Sequence, residues 1–133
     1  MYAIYAGELL VGHSALDGGD APMGVASGVF EPTSLFFELA AKEAQADEAS
    51  GRPAPDIRVW KGLSAMTPAG VLLECQATSV IGYCPDGANW ELEVNVLGIP
   101  YPNYENLFPE QLMAYRNAFP PSPPKQPWWR FWR

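Results

Sequence analysis

The sequence predicts an α+β fold: two tandem β-β-β-α units sharing one core, with an extended proline-rich arm after them. Three observations lead there. Gly28-Val29-Phe30-Glu31-Pro32 recurs seventy residues later as Gly98-Ile99-Pro100-Tyr101-Pro102, and in the same ungapped register Val11-Gly12 is answered by Ile81-Gly82. Each half also runs through strand-like alternation before an apolar pattern of helical period. Finally, the composition changes abruptly at Pro120. Residues 1–119 are therefore expected to form a single domain made of pseudo-repeats 1–48 and 57–119, with 120–133 as the arm.

In chain order, Tyr2–Tyr5 is β-prone, Ala6-Gly7-Glu8 supplies a turn, and Leu9–Ser14 returns as the second arm of a hairpin. Asp17-Gly18-Gly19-Asp20-Ala21-Pro22 reads as a turn, and Gly24–Val29 as a third strand. Thr33 and Ser34 offer a hydroxyl cap for a first helix whose Leu35, Phe36, Leu39, Ala40 and Glu43 step at helical spacing. That helix runs to Ala49 and stops at Ser50-Gly51, and Arg52-Pro53-Ala54-Pro55 links the halves.

The second half opens with a strand at Ile57–Gly62 and a longer connection through Met66–Gly70. Val71, Leu73, Cys75 and Ala77 alternate with Glu74, Gln76 and Thr78, the pattern of a half-buried strand that would sequester Cys75 as an inert thiol. Pro85–Asn89 is a turn. Leu92, Val94 and Val96 alternate with Glu91, Glu93 and Asn95 in the clearest strand signal of the chain. A short helix opens at Pro109, buries Leu112, Met113, Tyr115 and Phe119, and ends before Pro120-Pro121.

Composition narrows the function classes. No apolar run reaches the length of a membrane span, and Met1–Ile4 shows no basic, apolar leader pattern, so a cytoplasmic location is expected. Residues 1–119 hold all fifteen acidic side chains against five basic ones, a net charge of −10, which disfavours binding to a phosphate backbone. Cys75 and Cys84 are too far apart for a redox pair, and with His13 the only histidine no Cys/His zinc set can assemble.

Four other sets of residues invite a chemical reading. His13 and Ser14 are neighbours, but adjacent strand residues face opposite ways, which argues against activation of the hydroxyl. Asp17 and Asp20 flank two glycines without the lysine of a phosphate loop or the ligand count of a calcium loop. Glu91 and Glu93 share a strand face as a carboxylate pair, an arrangement usually just solvated. The glycines between Gly12 and Gly28 do not compose a dinucleotide fingerprint. No catalytic residue, cofactor or metal is therefore expected.

The arm is the anomaly. Pro120–Pro127 favours a polyproline II spacer rising about 3 Å per residue. It leads into Trp128, Trp129, Arg130, Phe131, Trp132 and Arg133, residue types that dominate protein-binding hot spots. In composition the six resemble tryptophan- and arginine-rich cationic antimicrobial peptides, which sit at bilayer interfaces. The leading expectation is a non-enzymatic interaction module, of inhibitor or immunity type in one version, that meets a protein partner or a second copy through these six residues. A peripheral membrane adaptor anchored by the same residues is the alternative, with weak and reversible attachment. A small enzyme with a pocket between the two units is the third.

Overall fold

The computed structural model describes residues 1–51, 56–84 and 89–119. Arg52–Pro55, most of the Pro85–Asn89 turn, and the arm with Trp128–Arg133 lie outside the described residues. The described chain is α+β: one eight-stranded antiparallel sheet and three helices. The strands are β1 (Tyr2–Ala6), β2 (Leu9–Ser14), β3 (Gly18–Asp20), β4 (Val25–Val29), β5 (Glu31–Pro32), β6 (Ile57–Met66), β7 (Ala77–Tyr83) and β8 (Glu91–Leu97). The helices are α1 (Ser34–Ala49), α2 (Asn103–Leu107) and α3 (Pro109–Ala118). No helix among the described residues is long and apolar enough to cross a membrane.

The strand order β3-β4-β8-β7-β6-β1-β2-β5 closes on itself. Phe30 alone separates β4 from β5, so 25–32 is one continuous run, and it pairs with different neighbours on its two edges. On one edge the β8 ladder continues to Phe30, whose N–H donates to the Leu92 carbonyl at 3.0 Å. On the other edge β3 faces β4, with Gly18 opposite Ser27, and β2 faces β5, with His13 opposite Glu31. Between those two pairings the register slips by one residue, the mark of a bulge at 14–17. There Leu16 takes a positive φ of 47° while being buried. Residues 9–20 and 25–32 thus form one long bulged hairpin, and the sheet becomes a six-membered barrel, joined between β1 and β6 through the last three residues of β6.

The interior is filled. Ile4, Ala26, Ala65, Val80, Val94 and Val96 are all fully buried, the inward parity of their strands. One mouth is plugged by rings: Phe36 of α1 meets Phe30 at 5.0 Å and Trp60 at 4.9 Å, and Trp60 meets Trp90 at 5.8 Å. Two glycines make room for this plug. A Cβ on Gly12 would stand 2.3 Å from the Phe30 ring, and one on Gly82 would stand 2.8 Å from both Trp60 and Trp90. The opposite mouth is closed by α2 and α3, where Tyr104 stacks near Phe108 and Phe108 against Tyr2. Tyr101 and Tyr104 donate to the carbonyls of Ala21 and Val25, and Gln111 donates to that of Leu16. The irregular stretch 16–25 of the first half therefore has its carbonyls satisfied by the second half.

Several expectations change. Gly18–Asp20 is a short strand rather than a turn, because β4 is long enough to offer it a free edge. Residues 71–75 do not continue the strand; β7 starts at Ala77, and only Leu72 bridges back to Met66. Cys75 is accordingly half-buried, its Sγ 3.4 Å from Thr78 Oγ1, and Cys84 is the buried cysteine. Thr33 occupies the cap position of α1, yet its hydroxyl donates to the Leu10 carbonyl at 2.8 Å and fastens the helix start to β2 instead of capping it. Met113, Tyr115 and Phe119 of the last helical stretch are exposed, leaving Leu112 as its buried residue. Each half supplies three consecutive barrel segments, followed by one helix in the first half and two in the second. The seventy-residue register does not follow residue by residue: Gly28 lies inside β4, whereas Gly98 lies past the end of β8 at φ 69°.

Candidate functional site

Inward parity is set by the core, so the alternate residues of the same strands must look outward. On β6, β7, β8 and β4 those residues fall into lateral rows. Val29 stands opposite Glu93, Glu93 opposite Ile81, and Ile81 opposite Val59; beside them Glu91 faces Tyr83 and Tyr83 faces Ile57. An antiparallel barrel usually turns polar side chains outward here, but five of these seven are apolar or aromatic. All are exposed, Val29 at 73% and Ile57 at 58% of their full surface.

The exposed row deepens into a groove of about 820 Å³ along the β4–β8 seam, where the first half of the chain meets the second. Val29 and Phe37 come from the first half; Ile81, Tyr83 and Trp90 come from the second. Glu91 and Glu93 add carboxylates, and Asn89 an amide, to a mostly apolar lining. Trp90 belongs to both the groove and the plug, since its ring touches Trp60 on one side and remains 38% exposed on the other. The groove floor is thus held by the packed mouth of the barrel. Phe37 reaches it because Phe36 is anchored in the plug, which leaves the next residue of α1 on the open side.

A second hollow, of about 600 Å³, lies at the far end of β4. Asp17, Asp20 and Glu110 surround Tyr115 and Phe119 there, beside the point where the chain leaves α3 for residues 120–133. The two hollows therefore sit toward opposite ends of β8.

The residues singled out from the sequence are dispersed. Ser14 is fully buried and its Oγ accepts the Leu16 N–H at 3.1 Å, so it supports the bulge and faces no solvent. His13 sits half-buried in the ladder between Ala3 and Glu31. Asp17 precedes β3 and Asp20 is its last residue; both are exposed. Glu91 and Glu93 share an exposed strand face as expected, but among apolar neighbours. Among the described residues, no three His, Cys, Asp or Glu side chains gather as a metal set would. The exposed apolar row escaped the strand patterns, although a signal was present: Val80-Ile81-Gly82-Tyr83 carries no charged side chain on either parity, and Ile57 and Val59 lie on the parity opposite the buried Trp60. A strand apolar on both parities asks for cover on both faces. Comparison with family models, curated proteins and solved structures returned no match, so the geometry stands alone.

Proposed function

We propose that the chain is a non-enzymatic protein-interaction module, an acidic barrel that meets a folded partner or a second copy through Trp128, Trp129, Arg130, Phe131, Trp132 and Arg133. The observation that carries this reading is the groove of exposed apolar side chains at the β4–β8 seam, rimmed by Glu91 and Glu93. Such a surface has the composition of a protein-binding patch, with large rings at its centre and charge at its rim. Covering it removes apolar area from water at about 25 cal/mol per Å². The excess of acidic side chains in residues 1–119 attracts cationic partners over a distance and raises association rates. An inhibitor or immunity-type role, masking a basic partner, is the version that charge alone supports. The two halves of the barrel, each giving three strand segments before its helical part, support descent from a duplicated β-β-β-α unit.

The reading is tested in the full chain by replacing Trp128, Trp129, Phe131 and Trp132 together with serine. The expected result is a lower Tm, or loss of self-association in sedimentation velocity. Unchanged stability and assembly, together with strong and salt-sensitive sedimentation of the unaltered chain with anionic liposomes, would favour the membrane adaptor instead.

A further inference from the structure

We infer that the groove at the β4–β8 seam is the receptor for Trp128–Trp132 of the same chain, so that the arm doubles back along its own barrel and covers the exposed row. This deepens the interaction reading above and rests on it. Three features converge on that occupant.

The first is chemical fit. The groove presents Val29, Ile81, Tyr83 and the free face of Trp90 beside the carboxylates of Glu91 and Glu93. Residues 128–133 bring four aromatic rings interleaved with Arg130 and Arg133. Rings packed on that floor bring arginines close to the two glutamates, where planar guanidinium–carboxylate pairing is favourable. The opposite sign pattern is absent from the segment: residues 120–133 contain no acidic side chain.

The second is reach. Phe119 lies beside Asp17 and Asp20, near the C-terminal end of β8, while the groove lies at its N-terminal end. Six residue steps along β8 separate the ends, roughly 20 Å at about 3.3 Å per step. The eight residues 120–127 are proline-rich, and a chain of that length in polyproline II form would reach roughly 25 Å at about 3.1 Å per residue. A spacer of that length exceeds the separation along β8 and leaves a few ångströms for the sideways step from β3 across β4, and a spacer already extended loses little entropy on docking.

The third is the apolar outward parity of β6 and β7. Ile57, Val59, Ile81 and Tyr83 are placed for cover on their outward side, and no described element supplies it. A tethered segment does so at high effective concentration.

The test uses the full chain carrying the photoreactive p-benzoylphenylalanine in place of Phe131, with crosslinked peptides mapped by mass spectrometry. Crosslinks are expected on peptides containing Ile81–Tyr83 or Trp90–Glu93. Mixing ¹⁴N- and ¹⁵N-labelled chains before irradiation should yield only same-isotope products. In the exterior variant Ile81→Glu, with folding checked by circular dichroism, groove crosslinking should fall about tenfold, the factor expected from losing one apolar anchor. Crosslinks spread over the surface, crosslinks confined to the Asp17–Glu110 hollow, or an Ile81→Glu pattern like that of the unaltered chain would each overturn the inference. Mixed-isotope products at the groove would overturn docking on the same barrel while leaving the interaction reading intact. An absence of protein crosslinks with transfer of the probe to added anionic vesicles would overturn both.

Discussion

At the scale of single residues, the aromatic plug rests on two glycines that leave no room for a side chain. A methyl at position 82 would press on two indole rings and, at 3.0 Å, on Leu92. Gly82→Ala should therefore lower stability by about 1–3 kcal/mol, the usual range for overpacking. Gly12→Ala should cost more, because a backbone oxygen, that of Glu31, stands 2.6 Å away and cannot swing aside as a ring can. Thermal melts of the two variants check the order, and a Gly12→Ala melt equal to that of the unaltered protein would refute it. Tyr104 gives a second test. Burial pushes its hydroxyl above the ordinary value of 10.0, with Tyr101 and Asp20 adding to the rise, and the same hydroxyl donates to the Val25 carbonyl at 2.9 Å. A group whose folded pKa is raised loses its proton first in the unfolded chain, so stability is full below pH 10 and falls as pH rises beyond it. Tyr2 and Tyr101, also raised by burial, act in the same direction. Urea midpoints measured from pH 8 to 11 should decline above 10, and Tyr104→Phe should make that decline shallower.

At the scale of elements, residue patterns identified most strands and both principal helices but misjudged their roles. β8 was legible because one parity holds Leu92, Val94 and Val96 and the other holds charge. β3 was not, because Gly18-Gly19 carries no strand pattern and its pairing comes from the neighbouring length of β4. The 71–75 stretch failed for the opposite reason: its alternation is good, yet β6 already meets β7 along Ile57–Leu63, so it pairs only with the end of β6, where the Leu73 N–H donates to the Ala65 carbonyl and the Thr67 N–H to the Val71 carbonyl. The groove was illegible as a site because Val29 and Ile81 are far apart in sequence and share a row only through Glu93 of β8. Helix α1 shows how little burial an element needs when its first turn is anchored. Phe36 is its one fully buried residue, and its second half is nearly all exposed. What ties that half down is Arg58 of β6, whose guanidinium lies 2.6 Å from Asp47 and 4.0 Å from Glu43. Arg58 is 12% exposed, so the pair is less screened than an ordinary surface bridge. Arg58→Ala should fray α1 locally: hydrogen exchange at residues 44–49 should speed up several-fold while the barrel strands keep their protection. Equal protection in both proteins would show that Arg58 does not hold the helix.

At the scale of the whole molecule, barrel closure decides how the chain responds to stress. The first half contributes β1 to β5 and the second β6 to β8, and the halves meet along two ladders, β1 with β6 and β4 with β8. Neither half has a core of its own. Trp60 of the second half is packed by Phe36 of the first, and Tyr104 of the second donates to Val25 of the first. Opening either ladder would expose Val94 and Val96, both fully buried, and unpair two strand edges at once. Partial unfolding of one half is therefore costly, and the chain should unfold in a single cooperative step. Near-ultraviolet circular dichroism, sensitive to the Phe36–Trp60–Trp90 plug, and far-ultraviolet dichroism, sensitive to the strands, should give coincident urea transitions. Fragments 1–51 and 56–119 should each lack fixed near-ultraviolet signal when alone and regain it when mixed, because only together do they complete the ring of strands. Two separated transitions, or a fragment that folds by itself, would mean that the halves are autonomous units and that closure adds little to stability.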